Sequence, residues 1–411
     1  MNILFLHDAF PAQFGRLALE LVRRRGWSCR FLTQSLSSCP TPTSEMLEAL
    51  EIRQIPLAAE HRSSEGIPWP QIQGHFLEQC QAVAEAARGS PWPRPDLVVA
   101  HGGRGAPTVF LRETLDCPIV VYCEYYFATH RRDISYRIDL PPAEPALFFP
   151  RCINAPTLAA LVDCDAGYSA TAWQRETFPA RFHHKIKVYF DGIDADLYAP
   201  GPSSRRIGGV TIPEGARVVT FVSRGLESIR GFDLFMKAAK RIAAARPDVV
   251  FIVAGGEEIH YGWDKLHTGQ PSFKQWVLSQ DQYDLSRFAF LGRVSPEQLA
   301  EVLRMSDLHI YLTAPFVLSW SMLNAMASGC VVLASDVGPV REVIEPGVNG
   351  LVEPLFDTDR LVKTALQVLG DLGAYSPLAA AARRTVLDRY SVETCIPPLG
   401  DFLERVAGGA K

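Results

Sequence analysis

Residues 309–344 read HIYLTAPFVLSWSMLNAMASGCVVLASDVGPVREVI. An apolar run ends in a loop, after which Ser319 or Ser321 can cap a helix that Gly329 closes. A second apolar run follows at residues 331–334, so the stretch predicts a β-α-β unit of a parallel sheet. The amides of the first helical turn would offer a diphosphate hydrogen-bond donors and the positive end of the helix dipole. An ordinary α/β repeat without a ligand fits the same pattern.

Short apolar runs alternate with helical segments through the rest of the chain. Such runs, flanked by amphipathic segments, predict parallel strands that are buried on both faces. They cover residues 3–6, 96–100, 119–122, 185–189, 218–222, 249–254, 288–291, 308–312 and 331–334. The predicted fold class is therefore α/β, with doubly wound sheets whose ligands gather at the carboxyl ends of the strands.

One break in this alternation divides the chain. Residues 198–215, YAPGPSSRRIGGVTIPEG, concentrate Pro, Gly and Ser, which is typical of a linker. We expect residues 1–197 and 216–385 to form two Rossmann-like domains that face each other across a cleft, and a chain of 411 residues suits two domains. Residues 386–411 are expected to be helical and to cross back onto the first domain.

Composition and charge exclude several classes of protein. Hydrophobic residues at 47% and charged residues at 21% are typical of a soluble globular protein. The net charge of −4 gives no basic surface for nucleic acid. The basic triplet at residues 23–25 fits a solvated helix terminus or a weak peripheral contact with a membrane.

The cysteines and the N-terminal segment indicate a compartment. Nine scattered cysteines without a C-x-x-C pair are typical of reduced thiols in the cytosol. The segment MNILFLHD meets a polar residue too early for a signal peptide, and no apolar run reaches the ~18 residues of a membrane span. We therefore expect a cytoplasmic protein.

Two arginines lie in a predicted strand-to-helix turn at residues 221–242, FVSRGLESIRGFDLFMKAAKRI. Arg224 and Arg230 would project from the carboxyl edge of the sheet, where each guanidinium can grip two phosphate oxygens. The alternative is that both are surface arginines beside Glu227.

The first half of the chain offers candidates for sugar contacts. Gly15, near the start of a predicted helix, would let a ligand approach the backbone closely. His101 directly follows a buried strand and could act as acid, base or hydrogen-bond donor, or be a structural histidine. Glu124, Tyr125 and Tyr126 follow another strand and could form an acceptor wall, or a buried aromatic cluster with one exposed acid.

Together these segments resemble the retaining GT-B glycosyltransferases of family 4. The resemblance covers roughly residues 186–356, in the family's order and spacing. The N-terminal half is looser, although FPAQFGRL and CEYYF are similar to a bacterial subgroup. The segments that carry the resemblance are VYFDGIDADLYAP, SRGLESIRGFDLFMKA, FLGRVSPEQLAEVLRMSDLHIYLT and AMASGCVVLASDVGPVREVIEPGVNGLVEP.

The resemblance implies a role for each candidate. Arg224 and Arg230 would hold the diphosphate and stabilise the charge of the leaving group, and Gly15 would approach the phosphate and sugar. The remaining donor-binding candidates are Gly292, Arg293 and Val294 beside the nucleobase, Leu318, Ser319, Trp320 and Ser321 at the phosphates through their amides, and Asn324 at the ribose.

Two positions depart from the family pattern. The first glutamate of the family's Glu-x7-Glu pair, which touches the donor sugar, is Phe316 here, and the second, which binds the ribose hydroxyls, is Asn324. An amide can still bond a ribose hydroxyl, whereas a phenyl ring cannot bond a sugar hydroxyl. Retention in this chemistry relies on the donor phosphate and the acceptor hydroxyl meeting on one face, without an enzymic nucleophile. We therefore expect a changed sugar preference rather than lost activity.

The sequence thus predicts a hexosyltransferase that moves a sugar from a nucleotide diphosphate sugar, such as a UDP-sugar, to a saccharide, lipid-linked or natural-product hydroxyl, with retention. No cofactor and no metal is expected, because a clear Asp-x-Asp turn after a strand is missing and two arginines with a helix N-terminus supply positive charge. A uridine or guanosine base fits equally. The alternatives are an epimerase or phosphorylase of the same fold, and a nucleotide-sugar-binding module without activity.

Overall fold

The structure is a computed structural model. It describes residues 1–36, 42–55, 69–89, 91–103, 108–128, 133, 135–141, 148–260, 264–270 and 272–409. The chain forms two compact units, the first composed of Met1–Phe127, Phe148–Asp191 and Cys395–Lys411, and the second of Ala128–Leu147 and Gly192–Thr394. The first unit is therefore assembled from three separate stretches of chain.

A seven-stranded parallel sheet forms the first unit. Its strands are β1 (Asn2–Ala9), β2 (Ser28–Ser35), β3 (Glu51–Gln54), β4 (Leu97–His101), β5 (Ile119–Tyr122), β6 (Ala166–Ser169) and β7 (Ile186–Val188). Its helices are α1 (Phe14–Arg25), α2 (Ser44–Ala49), α3 (Trp69–Arg88), α4 (Phe149–Asp163) and α5 (Ala172–Thr177). The strand order is β3-β2-β1-β4-β5-β6-β7. The order reverses between β1 and β4, so ligands are expected at the carboxyl ends of these two strands.

The basic triplet ends α1, and each of its arginines contacts an acid. Arg23 pairs with Glu45 and, at 3.0 Å, with Glu20, which also accepts from Arg24 at 2.7 Å. Arg25 pairs with two acids of the C-terminal segment, Asp401 at 2.5 Å and Glu404 at 3.1 Å. The triplet is thus a helix terminus whose charges are offset by acids within the unit. This argues against a basic patch that attracts a membrane.

A six-stranded parallel sheet forms the second unit. Its strands, preceded by the antiparallel pair β8 (Arg206–Ile207) and β9 (Val210–Thr211), are β10 (Arg217–Gly225), β11 (Val249–Gly256), β12 (Phe288–Gly292), β13 (Leu308–Tyr311), β14 (Val331–Ser335) and β15 (Leu351–Glu353). Its helices are α6 (Phe232–Ala245), α7 (Asp264–Thr268), α8 (Phe273–Ser279), α9 (Pro296–Arg304), α10 (Trp320–Ala327), α11 (Gly338–Arg341), α12 (Thr358–Gly370) and α13 (Leu372–Arg389). The strand order is β12-β11-β10-β13-β14-β15. The predicted α/β class is confirmed.

The β8–β9 pair lies within residues 198–215, the stretch predicted as a linker. Ile207 and Ile212 are buried there against Val218 and Val302. Two isolated apolar residues among Pro, Gly and Ser thus anchor this segment to the second unit.

The last helix, α14 (Val392–Ala407), begins in the second unit, and its residues from Cys395 onward belong to the first. Ile396, Leu399 and Leu403 are buried on one side of it. The ring of Phe402 lies 5.1 Å from that of Tyr189 in the first unit. These apolar contacts hold the segment onto the first unit.

Two further observations concern thiols and membranes. Eight cysteines are free thiols, and Cys39 lies outside the described residues. Among the helices that the structure describes, none is both long enough and apolar enough to cross a membrane.

Candidate active site

The carboxyl ends of β10 and β13 adjoin where the strand order of the second sheet reverses. After β10 the chain makes a 3-10 turn, Ser228–Arg230, which Gly231 closes with φ of 65°. A Cβ on Gly231 would lie 2.6 Å from Cβ of Leu312, so both the conformation and the space require glycine. This turn places Arg230, together with the exposed Arg224 of β10, at the edge where ligands of such sheets gather.

Arg230 is held in place from the loop that follows β13. Its side chain is only 7% exposed, and its Nη1 donates to Oγ1 of Thr313 at 3.1 Å and to the carbonyl of Val317 at 3.0 Å. Its guanidinium carbon lies 5.4 Å from the centre of the Phe316 ring. Sequence reasoning missed Thr313 as a partner, although its position just after a buried strand is a usable signal.

Phe316 and Asn324 occupy the two positions where the family pattern has glutamates. Phe316 is 1% exposed and packs under Arg230. Asn324 as a residue is 7% exposed, and its side-chain amide makes no hydrogen bond to any part of the chain that the structure describes. Neither amide atom is among the buried polar atoms that lack a partner, so the amide is open to water or a ligand.

The first turn of α10 is partly occupied by its own cap. Ser319 is the N-cap, and its Oγ accepts from the amide of Ser321 at 3.3 Å. The amide of Ser319 donates to Oη of Tyr311 at 2.9 Å. Leu318 is buried and Trp320 is half-buried. A phosphate at this turn would therefore replace these two bonds or use neighbouring amides.

The predicted nucleobase segment follows β12. Gly292 has a φ of 66°, and the half-buried Val294 lies two residues further on. Arg293 pairs with Glu258 at 3.2 Å, between Nη2 and Oε2. Burial, together with the positive charges of Arg224 and Arg293, lowers the pKa of the neighbouring His260 to about 4. Arg224 and Arg293 thus bring two positive charges to this edge of the sheet, of which that of Arg293 is paired with Glu258.

In the first unit, His101 ends β4, Glu124 lies two residues beyond the adjacent β5, and their side chains meet. His101 Nε2 lies 3.4 Å from Oε2 of Glu124, and Oε1 of Glu124 accepts from Nε2 of Gln13 at 2.9 Å. Burial by itself lowers the pKa of His101, but Glu124, together with the smaller effects of Asp8 and the Gly102 carbonyl, outweighs it, so the pKa is raised. The ring of His7 lies 4.9 Å from that of His101. Sequence reasoning missed Gln13 and His7. The position of His7 near the end of β1 is a signal that could have identified it.

The two tyrosines after Glu124 pack inside the first unit. Tyr125 is 6% exposed and lies against Phe127 and Trp173, with ring centres 5.1 and 6.0 Å away. Tyr126 packs on Phe178 at 5.8 Å. The geometry fits the buried aromatic cluster rather than a wall of exposed rings, because neighbouring rings already cover these faces. The carboxylate of Glu124 remains partly exposed.

Gly15 faces its own loop. A Cβ on Gly15 would lie 2.2 Å from Cβ of Pro11, so the packing of the β1–α1 loop already requires glycine. This constraint is independent of any ligand. The residue lies in the first turn of α1.

No group of three or more His, Cys, Asp or Glu side chains within the described ranges is arranged to hold a metal ion.

Two family models match the chain. One, described as glycosyl transferase family 4 group, matches residues 43–198, and the other, described as glycosyl transferases group 1, matches residues 206–385. The chain belongs to the group 1 glycosyltransferases of family 4. The resemblance inferred from its motifs is thus confirmed.

Curated relatives of this family 4 member align over part of their length. The D-inositol 3-phosphate glycosyltransferase of Mycobacterium avium (strain 104) is 28% identical over 207 residues, which cover 49% of this chain and 45% of the relative. The protein of the same name from Mycolicibacterium smegmatis is 26% identical over 186 residues, covering 45% and 40%. The matched stretch therefore spans less than half of either relative.

Solved structures similar to this family 4 member cover nearly the whole chain. Anabaena HepE, in complex with UDP and glucose, aligns with a TM-score of 0.69 and 18% identity over 98% of this chain and 99% of its own. Sucrose-phosphate synthase from Thermosynechococcus elongatus aligns with a TM-score of 0.73 and 16% identity over 99% of both chains. These likenesses confirm the predicted GT-B fold.

Proposed function

We propose that this protein transfers a sugar from a nucleotide diphosphate sugar to a hydroxyl acceptor, with retention of the anomeric configuration. The observation that carries the proposal is the position of Arg230, a buried guanidinium fixed by Thr313 and Val317 at the reversal point of the second sheet. A preorganised cation in a water-poor site stabilises developing phosphate charge more strongly than one in bulk water.

In the proposed reaction, the bond between the anomeric carbon and the diphosphate oxygen breaks while the acceptor oxygen bonds that carbon from the same face. The acceptor proton passes to an oxygen of the departing diphosphate. Arg224 and Arg230 offset the negative charge that collects on this leaving group. The chain then needs no nucleophilic side chain of its own.

For the donor, we assign the ribose hydroxyls to Asn324. Its amide lacks an internal partner among the described residues and can both accept and donate. Phe316 replaces a hydrogen-bonding carboxylate with a buried ring, so we expect the preferred sugar to differ from that of family members with glutamate there. A UDP-sugar is the proposed donor, and a hexosyl group is the proposed transferred group.

For the acceptor, we propose contacts with Glu124 and His101. The carboxylate accepts from hydroxyl groups, and Gln13 fixes its orientation by donating to Oε1. A saccharide, lipid-linked or natural-product hydroxyl fits this chemistry.

Independence from metals and cofactors, and a cytoplasmic location, stay predictions.

The test is a panel of UDP-glucose, UDP-galactose, UDP-N-acetylglucosamine and GDP-mannose, incubated with sugar and polyol acceptors. We expect acceptor-dependent release of the nucleoside diphosphate, and NMR of the product should show the anomeric configuration of the donor. An inverted product would contradict retention. Stabilisation by UDP without any turnover would favour a binding module, and release of a free epimer or sugar phosphate would favour an epimerase or phosphorylase.

A further inference from the structure

The 3-10 turn that carries Arg230 is itself hydrogen-bonded to charged side chains. The amide of Ser228 donates to Oδ2 of Asp264 at 2.8 Å, and its hydroxyl donates to Oδ1 of the same carboxylate. The carbonyl of Ser228 accepts from Nη1 of Arg137 at 2.6 Å. Every polar group of Ser228 is thus bonded to a charged residue from a different part of the second unit.

Arg137 also fixes the helix that follows the turn. Its Nη1 and Nη2 donate to Oδ1 and Oδ2 of Asp233 at 3.0 and 2.7 Å, a two-pronged contact in which each residue is 4% exposed. Asp233 lies in the first turn of α6, two residues beyond Gly231. Nε of Arg137 donates to Asp139 at 2.9 Å. Arg137 therefore connects the start of the turn with the start of the helix.

A buried ion pair of this kind is a weak source of stability, because apolar side chains of similar size often stabilise a fold as well or better. Its bonds are directional, however, and the two-pronged contact adds geometric specificity. Only Ile229 separates Ser228 from Arg230, so a shift of the Ser228 peptide moves the guanidinium that faces the leaving group. Misplacement of a catalytic group by about 1 Å can cost on the order of 100-fold in rate.

We propose that Arg137 and Asp264 are positioning residues, which act on the reaction through Arg230 by fixing the Ser228–Arg230 turn. This inference rests on the proposed function, because it assumes that Arg230 contacts the diphosphate. Arg137 belongs to the stretch Ala128–Leu147, which lies within the family match to residues 43–198 and outside the match to residues 206–385, but is part of the second unit. The first half of the sequence thereby contributes to the donor side of the second unit.

The experiment is a double-mutant cycle with UDP as the ligand and UDP-glucose as the donor. Arg137→Lys keeps the charge but cannot make the two-pronged contact, and Asp264→Asn keeps the shape but loses one acceptor. We expect each to raise the Kd for UDP and to lower UDP release from UDP-glucose by roughly 10-fold. In an Arg230→Ala background the same substitutions should change both values less than about 2-fold, because residues that act as a unit are not additive.

Arg246→Lys is the matched control, since Arg246 makes a two-pronged contact with Asp248 at the other end of α6, at 2.8 and 2.7 Å. It should leave both values unchanged. Effects of Arg137→Lys and Asp264→Asn that persist in full without Arg230, or their absence in the wild-type background, would overturn the inference. If Arg137→Lys does not fold, Ser228→Ala, which removes one hydroxyl donor, replaces it in the cycle.

The same measurements separate the two proposals. If Arg230→Ala alone leaves UDP binding and UDP release unchanged, the proposed role of Arg230 is wrong and the inference falls with it. If Arg230→Ala weakens both measurably while Arg137→Lys and Asp264→Asn match the wild type, only the inference fails.

Discussion

The guanidinium of Arg230 lies over the ring of Phe316, with 5.4 Å between the guanidinium carbon and the ring centre. A cation over an aromatic face is stabilised by roughly 0.5–2 kcal/mol, with the larger value where water is excluded. Phe316 stands where the family pattern has a carboxylate, so in this chain an aromatic ring, rather than an acid, contacts the arginine.

Phe316→Leu tests this support. Leucine keeps an apolar side chain but has no π face, so we expect the Kd for UDP to rise about 5-fold, the equivalent of roughly 1 kcal/mol, measured by calorimetry. Phe221→Leu is the control, because Phe221 is also 1% exposed in the same unit and stacks on Phe235 rather than on a cation. Equal changes in UDP affinity for the two variants would contradict the role of the ring.

Arg224→Ala tests the second cation. Arg224 is exposed, so its loss should leave the melting temperature within about 2 °C, while turnover of the preferred donor falls at least ~100-fold, as when a transition-state charge donor is removed. Arg241→Ala removes another exposed arginine of the same unit, which pairs with Asp359, and should turn over normally. Normal turnover of Arg224→Ala would show that this guanidinium does not face the leaving group.

Asn324→Ala tests the assignment of the ribose. The lost hydrogen bond should weaken UDP binding several-fold, by about 1 kcal/mol, with little loss of thermal stability. Asn154→Ala should instead lower the thermal stability and leave UDP binding unchanged, because the amide of Asn154 bonds both backbone groups of Phe127, at 2.8 and 3.0 Å. An unchanged Kd for UDP in Asn324→Ala would mean that its amide serves another purpose.

The pH dependence of the first unit should reflect His101. Its pKa is raised above 6.5, mainly through Glu124 and less through Asp8, so its protonated form stabilises the fold. This stabilisation is complete below pH ~6.5 and is lost as the pH rises through the raised pKa. Glu124→Gln should lower the pKa of His101 in NMR titrations. It should also reduce the decline in the free energy of unfolding as the pH rises. Asp8→Asn should have the same two effects, but smaller. A pKa of His101 that is unaffected by Glu124→Gln would refute the pairing.

Local pattern was sufficient for much of the fold. The apolar runs predicted β1, β5 and β10 because fully buried strands carry uninterrupted apolar residues. The pattern missed β2, SCRFLTQS, in which polar residues interrupt the run, and β6, AGYS, which is too short to register. Parallel pairing, rather than composition, defines these strands.

The candidate site divides in the same way. The position of Arg230 in a turn was predictable because a strand, a turn and a helix follow each other within a few residues. Arg224, predicted in the same turn, lies within β10, which extends to Gly225. The roles of both arginines stay predictions. The contact of Arg137 with Asp233 spans 96 positions in the sequence, and nothing local to either residue indicates it. The packing of Tyr125 on Trp173 was missed for the same reason, since only the folded chain brings these rings together.

The composition of the first unit from three stretches of chain has a consequence for biosynthesis. The buried side chains of Ile396, Leu399 and Leu403 complete its core, and they are translated after the whole of the second unit. During synthesis, the apolar surface of the first unit that these side chains cover therefore stays exposed until residues 395–411 have left the ribosome. A nonsense mutation that removes these few residues would leave both family-matched regions intact and still deprive the first unit of part of its core.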